Sequence, residues 1–162
     1  MDKEMTQIIY CPPHKSGDYS IPNTVTTICA GAFRGCKNLT LNIIPDSVNE
    51  IGNFAFTGCS VLTSISIPDS VKEIGEGAFR ECNGLNSVLL PNSISVIRDF
   101  TFRECNRLSS ITIPGSVREI GTEAFKQCSI PSITIPESVR KIGDRAFYDC
   151  ANLRSVALPG SL

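Results

Sequence analysis

Cysteine and histidine are the side chains through which this chain could do chemistry, and their spacing argues against it. There are 8 cysteines and 1 histidine in 162 residues. Cys36, Cys59, Cys82, Cys105, Cys128 and Cys150 recur at steps of 22 or 23 residues, each three places after a phenylalanine. Structural zinc needs close Cys-x-x-Cys pairs, and disulfide frameworks belong to small loop-rich chains. A nucleophilic cysteine needs a histidine placed to activate it, and no recurring pattern supplies one. A thiol held at a fixed distance behind an aromatic is expected to serve as a small buried hydrophobe. Stacked thiols pointing in parallel rarely reach the disulfide dihedral. Cys11 and Cys29 lie off this beat and are the one pair for which a bridge is worth testing. His14 sits in the segment CPPHKSG, where a solvated loop is expected. Carboxylates are scattered among lysines and arginines, and no phosphate-binding glycine loop is present. The chain reads as no enzyme, with no metal and no cofactor.

The elements that must carry these thiols repeat with them. Prolines fall at Pro22, Pro45, Pro68, Pro91, Pro114, Pro136 and Pro159, and phenylalanines at Phe33, Phe56, Phe79, Phe102, Phe125 and Phe147. A fixed period between 20 and 50 residues marks a solenoid. Within the unit LTSISIPDSVKEIGEGAFREC, Leu62, Ile65 and Ile67 alternate with Ser64 and Ser66, which predicts a short strand with one buried face. Pro68 ends it, because proline cannot donate to a ladder. Asp69 and Ser70 are turn formers. Val71 and Ile74 are expected to point inward across a second, looser extended pass, and Gly75 to mark a bend tolerant of positive φ. Ala78, Phe79 and Cys82 share a face if the segment makes a single helical turn. Stacked about 4.8 Å apart, such units join their apolar faces into one core.

The pattern LxxIxIPxSVxxIGxxAFxxC resembles the BspA-like (Treponema-type, 23-residue) leucine-rich repeat, over residues 19 to 162. The resemblance implies an α/β but β-rich fold: a right-handed leucine-rich repeat solenoid with short parallel strands on one side and short helical turns on the other. It also implies a non-catalytic protein-binding module of a microbial cell-surface or secreted protein. Several members of the family are associated with adhesion to host extracellular-matrix proteins such as fibronectin or fibrinogen. An intracellular, cytoplasmic leucine-rich repeat scaffold or effector that recognises a protein partner is the alternative.

Residues 1–18 are read as a divergent N-terminal cap, with Tyr10 in the phenylalanine place and Pro13 in the cysteine place. Residues 19–162 are read as a solenoid of about six units, its first strand near Asp18–Ile21 and its C-terminal end uncapped. That end reads as part of a longer protein, with end-to-end self-association through the open edge as the other reading. The opening MDKEMTQIIY is no secretory signal, and no segment approaches the roughly 18 apolar residues of a membrane span. With 41% apolar residues and a formal net charge of −1, no electrostatic reason favours nucleic acid or anionic membrane. Departures from the pattern are few. Cys29 and Arg98 replace the glycine, and Thr101 replaces the alanine. Asn42 takes an inward isoleucine's place, which predicts a local slip turning Leu41 and Ile43 inward. The loop Cys128–Pro131 is one residue short. Neither change is expected to break the stack.

Without such a slip, the outward strand positions form two rows. One runs Leu41, Ser64, Ser87, Ser110, Ser132, Ser155, and the next Ile43, Ser66, Leu89, Thr112, Thr134, Ala157. Extended sheet faces are the surfaces solenoids use for partners, and these rows are the candidate protein-binding face. Serine and threonine merely keeping a sheet soluble is the other reading. On the turn side, Phe54 and Phe100 occupy a variable slot and make a rival patch, unless they only fill space between turns. Arg34, Arg80, Arg103 and Lys126 form a basic row beside Glu81, Glu104 and Asp149, read as a mutually neutralising face rather than an anion-binding stripe. Asn38-Leu39-Thr40 is a glycosylation sequon, meaningful only in a eukaryotic secretory host.

Overall fold

The computed structural model describes residues 5–41 and 43–160. Within them lie fourteen strands, each two or three residues long. The first seven are β1 (Gln7–Ile8), β2 (Ser16–Asp18), β3 (Thr27–Ile28), β4 (Asn38–Thr40), β5 (Glu50–Ile51), β6 (Ser64–Ser66) and β7 (Glu73–Ile74). The rest are β8 (Ser87–Leu89), β9 (Val96–Ile97), β10 (Ser110–Ile111), β11 (Glu119–Ile120), β12 (Ser132–Thr134), β13 (Lys141–Ile142) and β14 (Ser155–Ala157). Every strand pairing is parallel. Each coil contributes two strands, so two ladders climb the stack. The strands after the loops pair as β2-β4, β6-β8-β10 and β12-β14, while the second pass pairs as β1-β3-β5-β7 and β9-β11-β13. The result is a right-handed, strand-rich solenoid.

The helical turns expected on the third side are absent: no helix occurs among the described residues. The backbone shows why. In the Phe79 coil the N–H of Phe79 donates to the carbonyl of Thr101 in the next coil at 2.9 Å, and that of Glu81 to Arg103 at 2.8 Å. Only alternate groups stay local, as Arg80 N–H to Gly77 at 3.0 Å and Cys82 N–H to Phe79 at 3.2 Å. A helix needs every amide for itself, and here half of them lace one coil to the next. Two residues per coil are also left-handed. The first slot holds Gly31, Phe54, Gly77, Phe100, Glu123 and Arg145, with φ from 51° to 65°. The second holds Gly35, Gly58, Glu81, Glu104, Gln127 and Asp149, with φ from 57° to 75°. A right-handed helix cannot run through either.

Inside the three laced sides, Phe33, Phe56, Phe79, Phe102, Phe125 and Phe147 stack with centroids 5.1–5.6 Å apart and planes within 14° of parallel. Tyr19 closes the top of this column edge-on, 5.4 Å from Phe33 and 71° to its plane. The N-terminal coil is in register one place later than the sequence pattern suggests. Cys11 N–H donates to Ala32 at 2.6 Å, as Phe33 N–H does to Ala55 at 2.7 Å, so Cys11 and not Tyr10 takes the phenylalanine place. Cys11 is buried and Tyr10 exposed accordingly. The first strand of the sheet face is Ser16–Asp18, short of Tyr19 and Ile21.

Gly75 is required by close approach rather than by a left-handed bend. A Cβ there would lie 2.4 Å from the amide nitrogen of Asn53 in the coil above, and Gly52, Gly121 and Gly143 meet their upper neighbours' backbone in the same way. The N–H of each glycine donates across that narrow gap: Gly75 to Ile51 at 2.8 Å, Gly121 to Ile97 at 2.7 Å. Arg98 occupies this slot in one coil. No bond from Arg98 N–H to Ile74 forms, and the second-pass ladder splits between β7 and β9 at that step, whereas Cys29 in the same slot keeps its bond to Ile8 at 2.8 Å. Arg98 spans the split through its guanidinium, which donates to Glu73. Replacing Arg98 by glycine is expected to raise stability by about 1 kcal/mol, since two backbone ladders rejoin while an exposed ion pair worth little is lost. Urea unfolding checks this, and a variant less stable than the parent would show that the split is built in for another reason.

The sheet-face ladder also breaks twice. Between β10 and β12 the short loop at Cys128–Pro131 removes a residue, and those strands do not pair, although the phenylalanine column continues past them. Between β4 and β6 only the bridge Ile43↔Ser66 remains. Asn42, the pivot of the expected slip, lies outside the described residues.

Candidate protein-binding surface

The slip turns one of Asn42's neighbours inward and leaves the other out. Leu41 is 2% exposed and packs in the core, so it does not belong to the outward row in which the sequence placed it. The apolar side chain found a buried position because the strand around Asn38–Thr40 is offset from the coil below. Ile43 is 72% exposed, contrary to the inward turn expected of it. It bridges Ser66, which in turn registers with Leu89, itself 64% exposed. Two large aliphatic side chains thus stand on either side of one small serine, two coil steps or about 10 Å apart. Between them lies a depression of about 340 Å³ whose rim includes Asp46, Asp69 and Asn92. Of these rim residues only Asp69 stood out in the sequence, and as a turn former. Their signal was available: each follows the strand-ending proline by one place, the same slot in successive coils.

The rest of the face is low and polar. Ser64, Ser87 and Ser110 stand in one register line, and Ser132 registers with Ser155 and Thr134 with Ala157. Thr112 is exposed beyond β10. The ladder break between β10 and β12 separates Ser110 and Thr112 from Ser132 and Thr134. The stretch Ile43–Ser66–Leu89 combines exposed apolar area with a concave shape.

On the turn side, Phe54 and Phe100 are half-buried and both left-handed, with φ of 56° and 58°. The ring of Phe54 fills the place of the missing side chain of Gly77: a Cβ there would lie 2.5 Å from the ring. The guanidinium of Arg103 lies over the Phe100 ring at 5.8 Å. The Phe54 ring thus fills the gap beside Gly77, and the Phe100 ring carries the Arg103 guanidinium.

The thiols are placed for structure. Cys59, Cys82, Cys105 and Cys128 donate through Sγ to the carbonyls of Phe33, Phe56, Phe79 and Phe102 in the coil above, at 3.1–3.2 Å. Cys150 repeats the bond to Phe125 at 3.0 Å. Burial pushes the Cys82 thiol up to about 12, and raises Cys59, Cys105 and Cys128 for the same reason, so none forms a nucleophilic thiolate near neutral pH. All eight cysteines are free. Cys11 faces Cys36, whose Sγ lies 3.6 Å from the Cys11 carbonyl oxygen. His14 is exposed in the connection between β1 and β2. Among the described residues no group of three or more His, Cys, Asp or Glu could hold a metal ion, and no helix is long and apolar enough to cross a membrane.

Solved structures share this architecture. A leucine-rich repeat protein from Eubacterium ventriosum matches 99% of the chain with a TM-score of 0.91 at 27% identity, over 44% of its own length. A leucine-rich repeat protein from Bacteroides ovatus is 43% identical over 75% of the chain, with a TM-score of 0.72. A leucine rich cell surface protein from Faecalibacterium prausnitzii is 30% identical over 93% of the chain, with a TM-score of 0.68. The chain spans 34% of the length of each of these last two. No curated protein matches it. The family described as BspA type leucine rich repeat region matches residues 13–130 and 85–162, in 6 copies. With coil, period and landmark residues all in agreement, this chain belongs to the BspA-type leucine-rich repeat family, whose solenoids are in general non-enzymatic scaffolds for protein interaction.

Proposed function

We propose that the chain is the repeat region of a microbial cell-surface protein and binds a protein partner, of the extracellular-matrix kind, on its sheet face. The observation that carries the reading is the exposure of Ile43 and Leu89 on either side of Ser66. A partner's apolar side chain seated on Ser66 would be flanked by both, in a depression that exists before binding. Short serine and threonine side chains around it lose little rotamer entropy when covered. The Faecalibacterium relative, described as a cell surface protein, supports the surface setting.

Binding to immobilised fibronectin and fibrinogen, followed by surface plasmon resonance, tests the proposal. Leu89→Arg or Ser87→Arg is expected to weaken binding by about tenfold or more, each setting a charge where desolvated apolar contact is needed. Phe54→Ala with Phe100→Ala leaves that face untouched and is expected to leave binding unchanged. The reverse outcome, binding intact in the arginine variants and lost in the phenylalanine pair, would place the interface on the turn side.

A further inference from the structure

The basic row on the turn side is not neutralised throughout. In the lower coils each cation is matched. Arg103 pairs with Glu104 at 3.0 Å and with Glu123 at 2.8 Å, and Lys126 pairs with Glu123 at 3.0 Å. In the upper coils the matching is absent or incomplete. Arg34 and Lys37 make no side-chain hydrogen bond or ion pair among the described residues. Arg80 holds Glu81 at 3.0 Å through one terminal nitrogen, yet its Nε is buried without a partner.

Both left-handed slots set the difference, the first by holding Glu123 only in the lower half. From the Arg80 coil downward the second slot holds Glu81, Glu104, Gln127 and Asp149, and the two coils above hold Gly35 and Gly58. Glycine relieves the left-handed strain, and it also removes the side chain that would have supplied a counter-charge. Nothing lies within 4 Å of a Cβ built on Gly35, and a Cβ on Gly58 would meet only the Gly35 backbone, at 3.8 Å. The row itself is notched between Arg34 and Arg80, where the short Thr57 folds its hydroxyl inward to the Gly77 carbonyl at 2.9 Å. A depression of about 330 Å³ results, floored by the two glycines, walled by Phe54 and edged by Arg34, Lys37 and Arg80.

We propose that this pocket binds a tetrahedral oxyanion ester, sulfate or phosphate, seated over Gly35 and Gly58. The Arg34 guanidinium is free to offer paired donors, Lys37 adds a second charge, and the part of the Arg80 guanidinium not held by Glu81 adds a third. The ring of Phe54 gives the ester's carbon skeleton an apolar wall. The single acid in the pocket, Glu81, is occupied by Arg80 and leaves the net charge positive. The site faces away from the sheet-face depression and is independent of it.

Titration with inorganic sulfate and inorganic phosphate at low ionic strength, read by amide shifts and by calorimetry, tests the proposal. Both are expected to saturate with shifts centred on Gly35 and Gly58. Arg34→Gln with Lys37→Gln is expected to weaken both by about tenfold or more. Gly58→Glu, which installs the acid of the lower coils, is expected to do the same. Arg103→Gln, in the neutralised half, is expected to change nothing. Absence of saturation, or equal weakening by Arg103→Gln, overturns the assignment. If Gly58→Glu fails to fold, the exposed Arg34/Lys37 pair decides alone. Glucose 6-sulfate and glucose 6-phosphate then identify the ester by which binds more tightly. Unmodified glucose binding as tightly as either would also overturn the assignment.

Discussion

Phe79→Ala is expected to lower the stability of the chain by about 3–5 kcal/mol, the usual range for deleting a buried aromatic. The ring is fully buried and stacks on Phe56 at 5.2 Å and on Phe102 at 5.6 Å, with planes within 6°. Its removal therefore leaves a void in the middle of a column and strips one stacking partner from each neighbour. The surroundings cannot collapse into it easily. The backbone of the Phe79 coil is bonded to both adjoining coils, through Phe56 N–H to Ala78 at 2.7 Å and Phe79 N–H to Thr101 at 2.9 Å. Because each coil is stable only against its neighbours, protection from hydrogen exchange should fall in the adjacent coils as well. Denaturant unfolding and native-state exchange measure the two effects. A loss below about 1 kcal/mol would mean that the column does not carry the core.

Stability should also fall steeply in alkali, starting near pH 9. The thiols of Cys59, Cys82, Cys105 and Cys128 are raised above their ordinary 9.0 by burial, Cys82 to about 12. The folded state keeps these protons after the unfolded chain has begun to lose them. Between the two pKa values the unfolded state binds fewer protons, so unfolding becomes easier as pH rises. The thiols' contribution is whole below pH 9 and is lost on the way up through the folded values. Each such thiol adds a slope of about 1.4 kcal/mol per pH unit, and the ladder multiplies it. Urea midpoints taken from pH 8 to 11 read the slope directly. Cys82→Ala should flatten it by one thiol's share, while a midpoint unchanged up to pH 10.5 would contradict the burial of the ladder.

The solenoid was legible because its landmarks recur in the chain: a proline, a phenylalanine and a cysteine at one beat can be satisfied together only by stacking. The inward set followed from alternation, as with Ile65 and Ile67 around Ser66. The side carrying Ala78 and Phe79 was misread because apolar spacing of one and three suits a helical turn as well as a bent loop. The deciding fact, amides donating to the next coil, is a relation between repeats that no single repeat shows. The left-handed slots were half visible as Gly31, Gly35, Gly58 and Gly77, yet Phe54, Glu81 and Phe100 hid the periodicity. Gly75 was seen to matter for the wrong reason, since close approach of a neighbouring backbone leaves the same residue as a left-handed bend. The sheet-face depression was legible in part. Leu89 stood out among serines, but its partnership with Ile43 depends on a register offset that buries Leu41.

The most direct test of the proposed interface is an NMR titration of the chain with fibronectin or fibrinogen fragments, read on methyl and aromatic-ring signals. The methyl signals of Ile43 and Leu89 are expected to shift or broaden together at low fragment concentration. Phe54, Phe100 and the buried Ile65 and Ile67 should stay in place. Perturbations gathered on the turn-side rings, with Ile43 and Leu89 unmoved in a complex that forms, would contradict it.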